Sequence, residues 1–206
     1  MAPLPLPLPS RRCTPAAFYG DYLPQLWRSL MEASDTPQVD LTIAFHIQDP
    51  TPQHFTARVH DGVLTTNTID TAQADLSIQC QLQAWTAISC DFLSRLLRHA
   101  NRHLGATRSA ITRLASRVDA LPLERLQMHA GMIEIHFEDD AGDLATFHLS
   151  IRGGHGPSVR LYATESDLWT LLESSGGLSS LLRSRIRLEG DVGYIFRLAA
   201  FLEGSG

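Results

Sequence analysis

Two stretches of this chain alternate apolar and polar residues with a period of two, and each is followed by apolar residues recurring every three or four. From Asp40, Leu41, Ile43, Phe45 and Ile47 alternate with Thr42, Ala44, His46 and Gln48, the repeat of a half-buried strand. Asp49-Pro50-Thr51-Pro52 is a turn. Phe55 to Thr66 reads as strand, turn, strand, because the Asp61-Gly62 pair suits the positive φ angles of a two-residue hairpin. Asp75 to Leu82 alternates again, which completes a meander of about four strands. A second meander is expected over Leu126 to Phe137, Phe147 to Ile151 and Ser158 to Ala163, with turns at residues 139–142 and Gly153-Gly154-His155-Gly156-Pro157. That reading places His46, His129, His136 and His148 in strands.

Helical spacing surrounds these meanders. Phe18, Tyr22, Leu26 and Leu30 fall at every fourth position after Pro15, with Pro24 as an interruption, and predict a short, broken helix. Trp85, Ile88, Phe92, Leu96, Leu97, Ala100 and Leu104 predict a helix to about Gly105, and Ile111, Leu114 and Val118 a second over about 107–121. Thr164-Glu165-Ser166-Asp167 is a cap leading into Leu168, Trp169 and Leu172. The chain then offers a short strand over 185–188, the turn Glu189-Gly190-Asp191 and a helix over Val192 to Leu202. The fold class is α+β: antiparallel meander sheet or sheets covered by helices.

At 206 residues, 44% hydrophobic and 19% charged, the chain has enough apolar surface for a sizeable core without disulfide or metal staples. Cys13, Cys80 and Cys90 are odd in number and lack CxxC spacing, which suits a reducing, cytoplasmic setting. Pro at every second position from Pro3 to Pro9 forbids the helix of a signal sequence or membrane span. That segment reads as a solvated polyproline II tail. A formal charge of -5 argues against wholesale affinity for nucleic acid.

The charge is uneven. Arg95, Arg98, Arg102, Arg108, Arg113 and Arg117 lie within residues 92–118, which contain no Asp or Glu. Such a basic amphipathic element would face anionic lipid headgroups or a partner protein, or pair as a solvated face with the acidic run Glu134, Glu138, Asp139, Asp140 and Asp143. Chemistry-bearing motifs are sparse. His99 and His103 share a helix face without a zincin Glu or a third ligand, and the Gly153–Gly156 loop lacks the Lys-Ser/Thr of a phosphate loop and reads as a hairpin turn. No catalytic dyad, metal site or cofactor is expected.

The meanders look like two copies of one plan. Phe55 to Gly62 can be laid on Phe147 to Gly154, and Trp85-Thr86-Ala87-Ile88 on Trp169-Thr170-Leu171-Leu172, although any two amphipathic hairpins followed by helices would align comparably. The division expected is a proline-rich tail over 1–14, a shortened half over 15–105 and a second half over 106–206, a degenerate tandem repeat.

The run Leu181 to Val192, with its short strand and Gly190-Asp191 turn before a greasy helix, resembles the closing part of the sterol carrier protein 2 lipid-binding family. Residues from about 92 to 202 look most like the sterol-carrier domain of ubiquinone-biosynthesis accessory factors, and Ala72 to Ile78 resembles the third strand of a second copy that has no Gly-Asp closing turn. The resemblance implies a lipid-binding accessory protein that holds a prenyl quinone precursor, or an acyl or sterol-like molecule, and presents it to partner enzymes of a biosynthetic complex.

The residues support this through the last helix, whose Val192, Tyr194, Ile195, Phe196, Leu198, Phe201 and Leu202 surround a single charge, Arg197. Each large side chain left wet forgoes roughly 1.5 to 3 kcal/mol. A lipid tail, a second subunit in a homodimer, or the other half of the chain would cover them. The candidate lipid contacts are Leu168, Trp169, Leu172, Ile195, Phe196, Leu198 and Phe201, with the six arginines as the membrane or partner surface. The alternative is a small enzyme that folds a hydrophobic substrate in the same pocket for cyclisation or rearrangement, using a strand His, such as His136 or His148, or a strand Glu as acid or base.

Overall fold

The alternating segments form strands, and most of their large apolar residues turn to one side, with Val63, Met132 and Leu144 exposed on the other. In a computed structural model describing residues 6–10, 12–31, 40–68, 74–102, 123–139, 142–167 and 186–203, eight strands make a single sheet: β1 (Leu41–Gln48), β2 (Gln53–His60), β3 (Val63–Asn67), β4 (Leu76–Gln81), β5 (Gly131–Glu138), β6 (Leu144–Ile151), β7 (Ser158–Thr164) and β8 (Arg187–Gly190). Their spatial order is β3-β2-β1-β4-β6-β5-β7-β8.

The sheet is mixed, which corrects the purely antiparallel expectation. β1 and β4 run parallel, as do β5 and β7, while the other neighbours are antiparallel. A strand's alternation fixes which face its residues occupy and leaves open which neighbour it takes. The same arrangement occurs twice: the hairpin β1–β2 carries β4 parallel to its first strand, and the hairpin β5–β6 carries β7 in the same way.

The Asp61-Gly62 hairpin forms as expected, with φ of 49° and 72°. The Gly153–Pro157 segment is not a hairpin, because β5 lies between β6 and β7. It passes round the start of β5, where the Pro157 carbonyl accepts from the Met132 N–H (3.0 Å). His129 precedes β5 in a 3₁₀ turn, Leu123–His129, and not in a strand.

Helix α1 comprises Pro15–Ala17, Phe18–Tyr22 and Leu23–Met31, with a wide π turn in the middle. Pro24 has no N–H to continue the regular ladder, and the turn before it closes from the Leu23 N–H to the Phe18 carbonyl. Helix α2 comprises Leu82–Thr86, Ala87–Phe92 and Leu93–Arg102, again with a π turn. Helix α3 spans Val192–Leu202, capped by Asp191, whose carboxylate accepts from the Tyr194 N–H (2.9 Å). The Thr164–Asp167 cap also forms, the Thr164 hydroxyl accepting from the Asp167 N–H (3.2 Å) and the Asp167 carboxylate from the Thr164 N–H (2.9 Å). The helix expected over 107–121 and residues 168–185 lie outside the described residues.

Two apolar clusters sit on the helical face. In the first, Phe18, Tyr19, Tyr22 and Leu26 of α1 and Trp85, Phe92 and Leu97 of α2 pack with Ile47, Phe55, Cys80, Phe137 and Ala145 of the sheet. Tyr19 stacks on Phe55 (4.6 Å) and accepts a hydrogen bond from Trp85 Nε1 (3.2 Å). In the second, Tyr194, Ile195, Leu198 and Phe201 of α3 meet Ile133, Ile151, Val159 and Ala163. The expectation of a wholly solvated tail is also corrected: Leu6 and Pro9 are buried, and Leu6 belongs to the first cluster.

The opposite sheet face is polar. One row of register partners reads His54, His46, Gln79, His148, Glu134, Arg160 and Glu189 across seven strands. Among the described residues no helix is long and apolar enough to cross a membrane.

Candidate functional site

The strands β1, β4, β5 and β6 bring four ends together under the first turns of α2, and a cleft of about 690 Å³ opens there. Its volume is in the range of small-molecule sites. Phe137 and Ala145 from the sheet and Leu82, Ala84 and Ala87 from α2 give it apolar lining, with Phe137 2% and Ala84 5% exposed. Phe92 holds Phe137 edge-on from behind (5.8 Å between ring centres).

Polar groups surround this apolar part. Gln48 and Gln81 end their strands side by side, the Gln81 amide donating to Gln48 Oε1 (3.0 Å). Asp49, Asp91, Asp139 and Asp143 add four carboxylates. Asp139 is fixed by its turn, since its Oδ1 accepts from the Asp143 N–H (2.9 Å) and its backbone carbonyl from the Gly142 N–H (3.0 Å). Among the described residues no group of three or more His, Cys, Asp or Glu side chains converges as metal ligands would. The cleft, open to solvent on one side, sets a small apolar patch beside amide and carboxylate acceptors for donors on a guest.

The residues singled out from the sequence fall in several places. Ile195, Leu198 and Phe201 turn into the second cluster and are 4 to 6% exposed, and Phe196 is half-buried against it. Leu168, Trp169 and Leu172 lie outside the described residues, as do Arg108, Arg113 and Arg117. Arg98 and Arg102 are exposed on α2. Arg95 makes a bidentate pair with Glu165, Nε to Oε1 at 2.8 Å and Nη2 to Oε2 at 2.6 Å, with the Glu165 side chain 1% exposed.

The strand histidines occupy the polar face, opposite Phe137 and Ala145. His136 stacks on Tyr162 (4.7 Å) and faces Glu134 (2.9 Å, out of line for a hydrogen bond). Glu134 also pairs with Arg160 (3.2 Å), and Tyr162 donates to Glu189 (3.0 Å). His148 is exposed. Of the cleft residues the sequence reading singled out Asp139 and Asp143, as part of an acidic run and not as a site; Gln48-Asp49 and Gln81-Leu82-Gln83 look like ordinary strand ends and turns, and their signal was that two apolar strands stop in glutamines.

No protein-family model matches the sequence, and no curated protein matches it. A solution structure of a conserved hypothetical protein from Thermus thermophilus, described there as possibly a sterol carrier protein, is similar to 56% of this chain over 95% of its own length, with 14% identity and a TM-score of 0.31.

Proposed function

We propose that the protein binds a hydrophobic small molecule with a polar, hydrogen-bond-donating end and presents it to partner enzymes without transforming it. The observation that carries this reading is the cleft at the β4–β6 seam, where Leu82, Ala87 and Leu144 present apolar surface over buried Phe137, Ala145 and Ala84, beside glutamine and aspartate side chains. An apolar guest gains by shedding water against that lining, and the polar groups orient its end.

The finer reading is that the guest is a prenyl quinone precursor or an acyl or sterol-like lipid. Its tail would extend toward Leu168, Trp169 and Leu172 and press on Ile195, Phe196, Leu198 and Phe201. Those α3 residues pack with the sheet in the second cluster, so a tail reaching them displaces existing contacts, whereas the cleft is open beforehand. The exposed Arg98 and Arg102, with Arg108, Arg113 and Arg117, would form the surface toward a membrane or an enzyme complex.

The test is native mass spectrometry of freshly purified protein, with solvent extraction of any bound lipid, followed by titration of a prenyl quinone while tryptophan fluorescence is recorded. Retained lipid or a saturable shift is expected. A protein that carries no lipid and whose fluorescence ignores the quinone would sink the proposal.

A further inference from the structure

Residues 6–9 meet the body as a peptide meets a receptor. The Asn101 side chain on α2 reads both backbone groups of Leu6: Oδ1 accepts from the Leu6 N–H (2.6 Å) and Nδ2 donates to the Leu6 carbonyl (2.9 Å). Across from it, the Tyr22 hydroxyl on α1 donates to the Pro7 carbonyl (3.1 Å). Burial pushes the Tyr22 phenol pKa up, so the proton it donates is retained.

The side chains follow the same logic. Leu6 and Pro9 are buried, Pro7 is intermediate and Leu8 is 42% exposed. Burial at positions three apart is the period of a polyproline II helix, and prolines at 7 and 9 fix φ near the value that helix needs. Such a helix makes no internal hydrogen bonds and leaves its carbonyls for a receptor. Asn101 needs an N–H as well as a carbonyl, so it demands a residue other than proline at that position. The groove therefore selects a non-proline apolar residue at the Leu6 position and a buried residue three places on, filled here by Pro9, with the intervening carbonyl held by Tyr22.

We infer that the groove between α1 and α2, bounded by Tyr22 and Asn101, is a recognition site for a leucine- and proline-rich segment of another protein, filled here in cis by the chain's own Leu6–Pro9. The tail joins α1 through residues 10–14 only, where the Cys13 N–H donates to the Ser10 carbonyl (3.0 Å) and Thr14 caps the helix. A tether that short holds the tail at an effective concentration on the order of millimolar. A second copy of the chain at micromolar concentration does not compete with it. A partner with a better-fitting segment does, which makes the tail an internal competitor.

The test uses a fluorescein-labelled peptide Pro-Leu-Pro-Leu-Pro-Leu-Pro-Ser and full-length chains, read by anisotropy. The double variant Leu6→Ser, Pro9→Ser releases the tail. The peptide is expected to bind it at least about tenfold more tightly than wild type, and Asn101→Ala added to that variant is expected to remove the gain. Equal or absent binding to a released variant that keeps its circular dichroism overturns the inference. So does a concentration-dependent wild-type dimer that the released variant no longer forms, because the occupant in trans would then be a second copy's tail. If the released variant does not fold, wild type labelled on its α-amine answers the same question. Millimolar unlabelled peptide must lower the label's anisotropy, and an unchanged signal overturns the proposal.

Discussion

Asp75 and Arg152 hold each other twice: the Arg152 N–H donates to the Asp75 carbonyl (3.0 Å), and the Arg152 guanidinium contacts Asp75 Oδ1 (2.5 Å). Asp75 also accepts from the Thr42 N–H through Oδ2 (2.8 Å) and donates its own N–H to the Thr42 carbonyl (2.9 Å). One residue thus joins the start of β1, the start of β4 and the end of β6. Asp75→Ala is expected to lower the unfolding free energy by about 2 kcal/mol, chiefly through the loss of an acceptor for the Thr42 N–H. Arg152→Ala should cost less, under about 1 kcal/mol, because the guanidinium is 39% exposed. Urea unfolding of both variants checks the order, and a larger loss for Arg152→Ala would refute it.

The turn into α3 depends on Gly190 and Asp191. Gly190 has φ of 92°, and a Cβ there would lie 2.6 Å from the Ser158 carbonyl oxygen. Gly190→Ala is expected to destabilise by about 3 kcal/mol, combining strained backbone with a clash against backbone that cannot retreat. Asp191→Ala removes the cap and a long, exposed contact with Arg197 (4.0 Å), and should cost about 1 kcal/mol, nearly all of it from the cap. Calorimetry on the two variants should show the glycine change lowering Tm the more.

Burial pushes the Cys80 and Cys90 thiols up to about 11. The folded state keeps them neutral while unfolded chains ionise from about 9. Their contribution to stability is therefore whole below pH 9 and is lost as the pH rises toward 11. Urea midpoints measured from pH 7.5 to 10.5 should fall over the upper part of that range. At pH 8, Cys13, the partly exposed thiol, should react first with a disulfide reagent, and Cys80 and Cys90 only on unfolding. Equal native labelling of all three would contradict this.

The cleft offers a direct test of where a guest sits. Ala87 lines it and is incompletely buried, so Ala87→Phe should fill part of the volume with a stability change below about 1 kcal/mol. Affinity for a hydrophobic guest is expected to fall about tenfold, a loss near 1.4 kcal/mol. Isothermal titration against wild type reads it, and undiminished binding would place the guest elsewhere.

Much of this fold was legible in residue spacing. The alternation of Leu41 to Gln48 gave β1, Asp61-Gly62 gave the β2–β3 hairpin, and the apolar run Val192 to Leu202 gave α3 with the same bounds. Pairing was not legible, because alternation assigns a strand's faces without naming its neighbours, and both β4 and β7 insert beside a strand that is not their predecessor. The cleft was hidden for a related reason: it is assembled from the β5–β6 turn and the ends of β1 and β4, three places far apart in sequence. The proline spacing announced an extended tail, but nothing in it pointed to Tyr22 or Asn101 as the groups that hold it.

The ladder of strand pairs runs without interruption from β3 to β8, straight through the β4–β6 seam beneath the cleft. Parting the sheet at that seam to admit a guest would break a row of backbone bonds between β4 and β6. The cleft lies open on the helical side of that ladder, beside the first turns of α2, so a guest arriving there leaves every one of those bonds in place.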